Sequence, residues 1–500
     1  MNDDAVSANH GTELAAIERQ IFARRPEHSI DPSLDRIIAL TSLLGDPQRA
    51  YPVVHITGTN GKTSTARMTE TLLRVRGLRT GLFTSPHLTS VRERICVDGQ
   101  PLSPERFVEV YREIEPYLRL VDAQQPVKLS FFEVLTGMAF AAFADAPVDV
   151  AVIEVGMGGT WDSTNVADGV VSVVTPISID HVQYLGNTVA AIAADKAGII
   201  KPEAVTVLSQ QPVDAAAELM RRAVKVGASV AREGIEFGVL SRELAVGGQR
   251  LAIRGLLGEY HDLFLPLFGA YQAGNAACAL AAVEAFSGAA GSPSLMPAET
   301  NGEAGTPVAT EHGAGSRAEH DGGLDDDLVK TAFAAMSSPG RLEIVRRSPL
   351  LLVDAAHNPA GMAATADALT ESFGPADIIA VLAVSADKDV AGILDALEPI
   401  AAGVVVTTNS SPRTMAATEL AELARSVFGP DRIHMAERLD DAIEVAVGLA
   451  DEAASHISGP LAGLVAGEAD SPASAGAMVL ITGSVVTAGD AKLLLDRGPR

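Results

Sequence analysis

His55-Ile-Thr-Gly-Thr-Asn-Gly-Lys-Thr-Ser64 is the stretch on which the fold turns. A β-branched run over 53–57 leads into it and a helical pattern over 62–76 leaves it. Strand, tight loop, helix is the context a phosphate-binding loop requires. Gly58 and Gly61 let backbone N–H groups converge on phosphate oxygens with no Cβ in the way. Lys62 offers a point charge to the β- and γ-phosphates, and the helix N-terminus adds its dipole. Thr59 and Asn60 complete the loop, and a hydroxyl at Thr63 or Ser64 is of the type that ligates Mg²⁺. The common form of the loop has glycine where this chain has Ile56, so a generic glycine turn is the competing reading. The motif implies nucleotide binding and leaves the chemistry open. A GTPase would add Asn-Lys-x-Asp; the nearest string, Ala386-Asp-Lys-Asp389, lacks the asparagine.

Outward from the loop, apolar β-branched runs alternate with amphipathic stretches, the signature of an α/β fold. Strands are expected over 53–57, 79–84, 148–154, 170–175 and 205–209, with a second series over 350–354, 377–384, 403–407 and 478–482. Helices are expected over 62–76, 104–118, 130–143 and 359–373. Such continuous apolar strands suit a parallel sheet covered on both faces. At 500 residues the chain exceeds one core, and the second strand series places a boundary near Ser337-Ser-Pro-Gly340. The expected division is 1–337, a nucleotide-binding domain, and 338–500, a smaller Rossmann-like domain. Residues 287–323, rich in Gly, Ala, Ser, Pro and Glu, lack any aromatic residue or isoleucine. They read as a flexible insertion that cannot bury enough apolar area to order itself, dispensable for activity. Residues 455–476 look similar.

Composition narrows the function class. Apolar residues at 47% exclude wholesale disorder. The charge, 38 − 63 = −25, disfavours partnership with nucleic acid or an anionic membrane surface. The most apolar stretch, 137–155, is broken by Asp145, Asp149 and Glu154, so no membrane span is expected. Cys96 and Cys278 cannot build a disulfide framework. With a polar, acidic N-terminus unlike a signal peptide, the chain reads as cytoplasmic.

Thr57-Gly-Thr-Asn-Gly-Lys62 resembles the variant phosphate loop of the Mur ligase superfamily. Thr84-Ser-Pro-His-Leu88 with Glu93-Arg-Ile, Phe131-Phe-Glu133, and Glu154-Val-Gly-Met-Gly-Gly159 with Asp162-Ser-Thr-Asn165 narrow the resemblance. So do Ile179-Asp-His181, Asp195-Lys-Ala-Gly-Ile199, Gly269-x-Tyr-Gln-x-x-Asn275, Pro339-Gly-Arg-Leu-Glu343 and Asp354-Ala-Ala-His-Asn-Pro359. In this order they resemble the folylpolyglutamate synthase/dihydrofolate synthase family over nearly the whole chain. The resemblance implies a Mur-ligase-like phosphate-loop domain followed by a smaller Rossmann-like α/β domain that closes on it. It implies an ATP-dependent ligase that phosphorylates a pteroate or folate carboxylate. The acyl phosphate is then attacked by the amine of L-glutamate, releasing ADP and phosphate. A monomer is the expected state.

The resemblance also assigns roles. Lys62, Glu154, His181 and Lys196 carry the chemistry. Ser64, Ser85 and Glu154 hold one Mg²⁺, and His181 and Glu154 help hold a second. Lys196 becomes carbamylated and acts as a further oxygen ligand; without the resemblance it reads as an ordinary helix lysine whose amine reaches water. Asn275, Arg341 and Asp354 contact base, phosphates and ribose, with His357 nearby. From position alone, Asp354 is equally a helix cap before Pro359. The pterin end would be met by Asp31, Glu133 and Asp162, with Trp161 close by. Phe131 and Phe132 could stack on a flat ring, or belong to the core. Two departures stand out: Thr160, where the family often has a basic residue, and Thr63, where many members have glycine. Two other readings compete. One is a different Mur-type amino-acid ligase. The other is a phosphate-loop switch with no ligase activity, which would not need Glu154, His181 and Lys196.

Overall fold

The computed structural model describes residues 3–27, 29–290, 324–374, 376–457 and 477–496. The larger sheet takes β1 (Val53–Thr57), β2 (Thr80–Phe83), β3 (Ile95–Val97), β4 (Gln100–Pro101), β5 (Val150–Glu154), β6 (Gly169–Val174), β7 (Val205–Leu208) and β8 (Ser229–Arg232). Its spatial order is β4-β3-β2-β5-β1-β6-β7-β8. From β2 to β8 the neighbours run parallel, and β3 and β4 add an antiparallel edge. β1 and β5 are buried along their whole length, as the apolar runs require. One face packs on helices Lys62–Val75 and Ala270–Ala290. The other packs on helices Pro104–Gln124 and Phe131–Asp145. Serine begins both of the latter: Ser103 caps the first, and Ser130 forms a reciprocal capping box with Glu133.

A second sheet takes β12 (Glu343–Arg347), β13 (Leu350–Val353), β14 (Ile378–Leu382), β15 (Ala401–Val406), β16 (Ile433–Met435) and β17 (Met478–Thr482), in the order β12-β13-β17-β14-β15-β16. Apolar clusters cover both its faces. Between the two lies a three-stranded antiparallel sheet, β9 (Gly238–Ala245), β10 (Gly248–Arg254) and β11 (Glu259–Leu265), which the strand expectations omitted. Its strands mix buried with exposed residues and carry many charges, so no long apolar run marks them.

The sequence-expected strands and helices all form, with ends shifted by a few residues; the helix begun at Pro104 runs on to Gln124. Residues 287–290, taken as the start of an insertion, instead finish helix Ala270–Ala290. The remainder of that segment, 291–323, and most of the similar stretch at 455–476 lie outside the described residues. Both flanks of 291–323 are anchored. Glu284 on the incoming helix accepts from Tyr260 Oη at 2.7 Å, and the same hydroxyl accepts from Leu324 N at 2.8 Å. Replacing 291–323 with a short Gly-Ser linker is therefore expected to leave the melting temperature and activity close to those of the full chain. Loss of activity in a well-folded deletion variant would contradict this.

Candidate active site

The order β2-β5-β1-β6 lines up four turns at the carboxyl edge of the sheet, where α/β proteins bind ligands. Ser85 follows β2, Glu154 ends β5, the phosphate loop follows β1 and His181 follows β6. Glu154 is buried, and its Oε1 accepts from Thr63 Oγ1 at 2.9 Å while Oε2 accepts from Ser85 N at 3.1 Å. Burial raises the Glu154 carboxyl, with Lys62 the strongest opposing influence. The hydroxyl bonded to this carboxylate is that of Thr63, the neighbour of the expected metal ligand Ser64. Successive helix residues point about 100° apart. With Thr63 turned to Glu154, Ser64 faces the second half, its Oγ 2.9 Å from that of Ser338.

The loop needs its glycines. Gly58 has φ +147, and a Cβ there would fall 1.9 Å from Thr175 Oγ1. Gly61 has φ +88, and its Cβ would meet Asn275 Oδ1 at 2.5 Å. Lys62 Nζ folds back over the loop, donating to Gly58 O at 3.1 Å and Thr59 O at 3.0 Å. Burial lowers its pKa, with Glu154 and Asp180 acting against burial. Lys196 Nζ also donates to Gly58 O, at 2.7 Å. Its side chain is buried rather than reaching water, and burial, reinforced by Lys62, pulls its pKa down to about 7.

His181 sits at φ 52, a strained left-handed conformation for a residue with a Cβ. Burial lowers its pKa to about 3, keeping the imidazole neutral. Its Nε2 lies 3.8 Å from Asp180 Oδ2. The structure thus joins Thr63, Ser85 and Glu154 by direct contact, and sets Lys196 and Lys62 on the same Gly58 carbonyl. His181 stands beside them on the adjacent turn.

Two cavities flank Glu154, whose partners Thr63 and Ser85 line one each. One, of about 380 Å³, is lined by Asn60, Gly61, Thr63, Ser64, Asn275, Arg341 and Asp354, and so draws on both halves of the chain. Asp354 is held by Leu342 N at 3.0 Å, Ala356 N at 2.9 Å and Thr365 Oγ1 at 2.9 Å. It does not cap helix Pro359–Phe373; Asn358 does, accepting from Gly361 N at 2.8 Å. His357 is turned away from this cavity and lines the other one, its Nε2 3.8 Å from Asp180.

The other cavity, of about 270 Å³, is bordered by Asp31, Phe132, Glu133, Trp161, Asp162 and His181, among others. Arg36 ties two of these carboxylates together, donating to Glu133 Oε1 at 2.8 Å and Asp31 Oδ2 at 2.7 Å. Asp162 accepts from Met157 N at 3.0 Å and Thr164 N at 3.0 Å. Phe132 borders the cavity, whereas Phe131 is buried, stacked on Phe22 and covered by the Arg94 guanidinium.

Sequence reasoning passed over Asp180, Lys388, Arg36 and Arg94. Asp180 stood inside a quoted motif beside His181, and Lys388 inside the string set aside as a failed base-reading motif. Their partners lie far away in the chain, so no local spacing marks them. Lys388 Nζ donates to Asp180 Oδ1 at 2.7 Å. Arg94 donates to His87 Nδ1 at 2.9 Å and to Glu27 Oε2 at 2.8 Å.

A phosphate loop opposed by a strand-end carboxylate, with a second Rossmann-like sheet across the cleft, defines an ATP-binding ligase of the Mur type. Residues 56–283 match the Mur ligase middle domain, and 340–457 match the Mur ligase glutamate ligase domain. The chain is 50% identical to the dihydrofolate synthase/folylpolyglutamate synthase of Mycobacterium tuberculosis, over 97% of this chain and 95% of that protein. It is 34% identical to the folylpolyglutamate synthase of Lacticaseibacillus casei, over 76% of this chain and 82% of that protein. The Mycobacterium tuberculosis folylpolyglutamate synthase complexed with ADP matches with a TM-score of 0.84 at 49% identity, over 98% of this chain and 100% of that one. The chain belongs to the folylpolyglutamate synthase/dihydrofolate synthase family, and it is an ADP-forming ligase.

The contact between Thr63 and Glu154 has a measurable consequence. Thr63→Ala is expected to raise the Mg²⁺ concentration for half-maximal activity about 10- to 100-fold. Ser64→Ala is expected to leave it near the wild-type value. The reverse ranking in a Mg²⁺ titration of ADP release would give the role to Ser64.

Proposed function

We propose that this chain joins the amine of L-glutamate to the carboxylate of a dihydropteroate or reduced folate, with ATP converted to ADP and phosphate. The observation that carries the reading is the buried Glu154 carboxylate, which accepts from Thr63 of one cavity and from Ser85 of the other. The first cavity is lined by the phosphate loop with Asn275, Arg341 and Asp354, and the second by aromatic and carboxylate side chains that suit a pterin. In the first step a carboxylate oxygen of the acceptor attacks the γ-phosphorus, and ADP leaves. In the second the glutamate nitrogen attacks the acyl carbon, the C–O bond to phosphate breaks, and the amine gives up its proton.

Lys62 and Arg341 supply positive charge to the oxygens of the transferring phosphoryl group. Arg341 comes from the second half, so its contribution requires the cleft to be shut, which also keeps water from the acyl phosphate. Asn275 and Asp354 hold the nucleoside, and Asp31, Glu133 and Asp162 hold the pterin. We assign residues 1–337 and 338–500 to the two domains that enclose the cleft, and cytoplasm as the place of action.

The residues present suit Mg²⁺. Among the described residues no three His, Cys, Asp or Glu side chains form a metal cluster. Mg²⁺ asks for less, since it takes one or two carboxylates with the remainder from water and phosphate. Glu154, Ser85 and the loop hydroxyl would hold one ion, and His181 with Glu154 a second. When bound, Mg²⁺ neutralises phosphate charge and draws the γ-phosphoryl oxygens into line. The Lys196 amine is buried against the Gly58 carbonyl, and its pKa of about 7 leaves much of it neutral at pH 7. That state allows attack on CO₂ to form a carbamate, with release of one proton.

Incubation with Mg²⁺, ATP, L-glutamate and either dihydropteroate or tetrahydrofolate is expected to give product one glutamyl unit heavier, with one ADP per bond. ADP release without ligated product from either acceptor would overturn the reading. Both acceptors are used because the Mycobacterium tuberculosis relative is named for both activities.

Lys196→Ala is expected to lower ligation about 100-fold or more, with partial recovery in acetate or formate. In the wild type, removal of CO₂ is expected to reduce activity reversibly. The carbamate is expected to increase as pH rises through about 7, because deprotonation of the amine precedes it. Insensitivity of the wild type to CO₂ across that range would exclude the modification.

A further inference from the structure

Asp180 stands at the cleft with partners from both halves of the chain. On its own side, the turn that carries it is zipped to the phosphate loop. Thr59 N donates to Pro176 O at 3.0 Å, Thr59 Oγ1 donates to Ser178 O at 3.0 Å, and Ser178 N donates to Thr59 Oγ1 at 3.0 Å. On the far side, three residues beyond the ends of β13 and β14 converge on the same carboxylate. Lys388 Nζ donates to Oδ1 at 2.7 Å, Asn358 Nδ2 donates to Oδ2 at 3.3 Å, and His357 Nε2 lies 3.8 Å from Oδ2. The side chains of Asp180 and Lys388 are each only 9% exposed. Asn358 also donates to Asn60 Oδ1 at 3.1 Å, so the second half touches the phosphate loop both directly and through Asp180. Another ion pair joining the halves, Arg242 with Glu371, lies near the surface and far from the reacting atoms, with side chains 17% and 37% exposed.

We propose that Asp180 and Lys388 are a positioning pair that seats the second half of the chain on the phosphate loop. The pair fixes His357 and the Lys388 ammonium at the end of the substrate cavity nearest Lys62. A buried ion pair is a sharp device for this task, because separating it leaves two desolvated charges without partners. The cleft therefore has one favoured shut geometry rather than a range. Nothing in the pair touches the base or ribose residues, so it acts on assembly of the reacting groups and not on nucleotide capture. This inference rests on the ligase reading above.

The test is a double-mutant cycle with Asp180→Asn and Lys388→Met in the full chain, with Lys388→Arg as the conservative variant. Ligated product, ADP, the Mg²⁺ requirement and ATP binding are measured for each, alongside the wild type. Each single variant is expected to lower kcat for ligation about 10- to 100-fold. ATP affinity and the Mg²⁺ requirement of Lys388→Met are expected to stay near wild type. ADP formed per product is expected to rise above one, because an ill-seated cleft admits water to the acyl phosphate. The double variant is expected to be no worse than either single one, and Lys388→Arg to recover part of the coupling. Losses that multiply in the double variant would overturn the proposal. So would single variants that only melt earlier and keep one ADP per product. Absence of ligation in the wild type would overturn the ligase reading itself, and this inference with it.

Discussion

The constraint on which the site rests is the approach of the phosphate loop to the turn after β6. A side chain at Gly58 would drive into Thr175, since its Cβ would fall 1.9 Å from Oγ1. Because no side chain is there, backbone amides of Thr59 and Asn60 reach Pro176 O, at 3.0 and 3.3 Å. The two turns then move as one body. The Gly58 carbonyl, left facing the cleft, collects the amines of both Lys62 and Lys196. The placement of Glu154 follows from the same adjacency, since β5 and β6 flank β1 in the sheet. A parallel sheet with this strand order delivers a hydroxyl, a carboxylate, two lysines and a histidine to one edge from turns far apart in sequence.

Electrostatics divides the protein into a repelling exterior and an interior that concentrates cations. The chain carries a net charge of −25, yet Lys62, Lys196 and Arg341 gather around the phosphate loop. Holding buried cations together costs stability unless an anion answers them. Glu154 and Asp180 answer in part, and each raises the lowered pKa of Lys62. The triphosphate of ATP is the remaining counter-charge, so binding of nucleotide relieves a strain that folding creates. This is the physical reason a strongly acidic protein captures an anionic substrate pair.

Much of this was legible in the sequence because the decisive features are local. The loop Gly58 to Ser64 declares itself by glycine spacing between a strand and a helix, and Glu154 by its place at the end of an apolar run. What stayed hidden depends on distant contacts. Ser64 and Thr63 are equivalent as residue types, and only the helix phase set by β1 decides which faces Glu154. Asp354 looked like a cap because Pro359 follows it, but Asn358 is one residue from the helix and takes that role. Lys388 reads as an ordinary loop lysine until β14 brings it to Asp180, 208 residues earlier. The sheet of β9 to β11 was missed, as were strands β3, β4, β8, β12 and β16, because these strands are short or charged and lack the apolar runs that marked the rest.

The most direct measurement follows an oxygen atom. With acceptor carrying ¹⁸O in the carboxylate to be ligated, a reaction through an acyl phosphate must move one labelled oxygen into the released phosphate for each amide bond formed. Mass analysis of the phosphate is expected to show that one-to-one transfer. Unlabelled phosphate released alongside ligated product would contradict a cleft built to bring the γ-phosphate of ATP against the acceptor carboxylate.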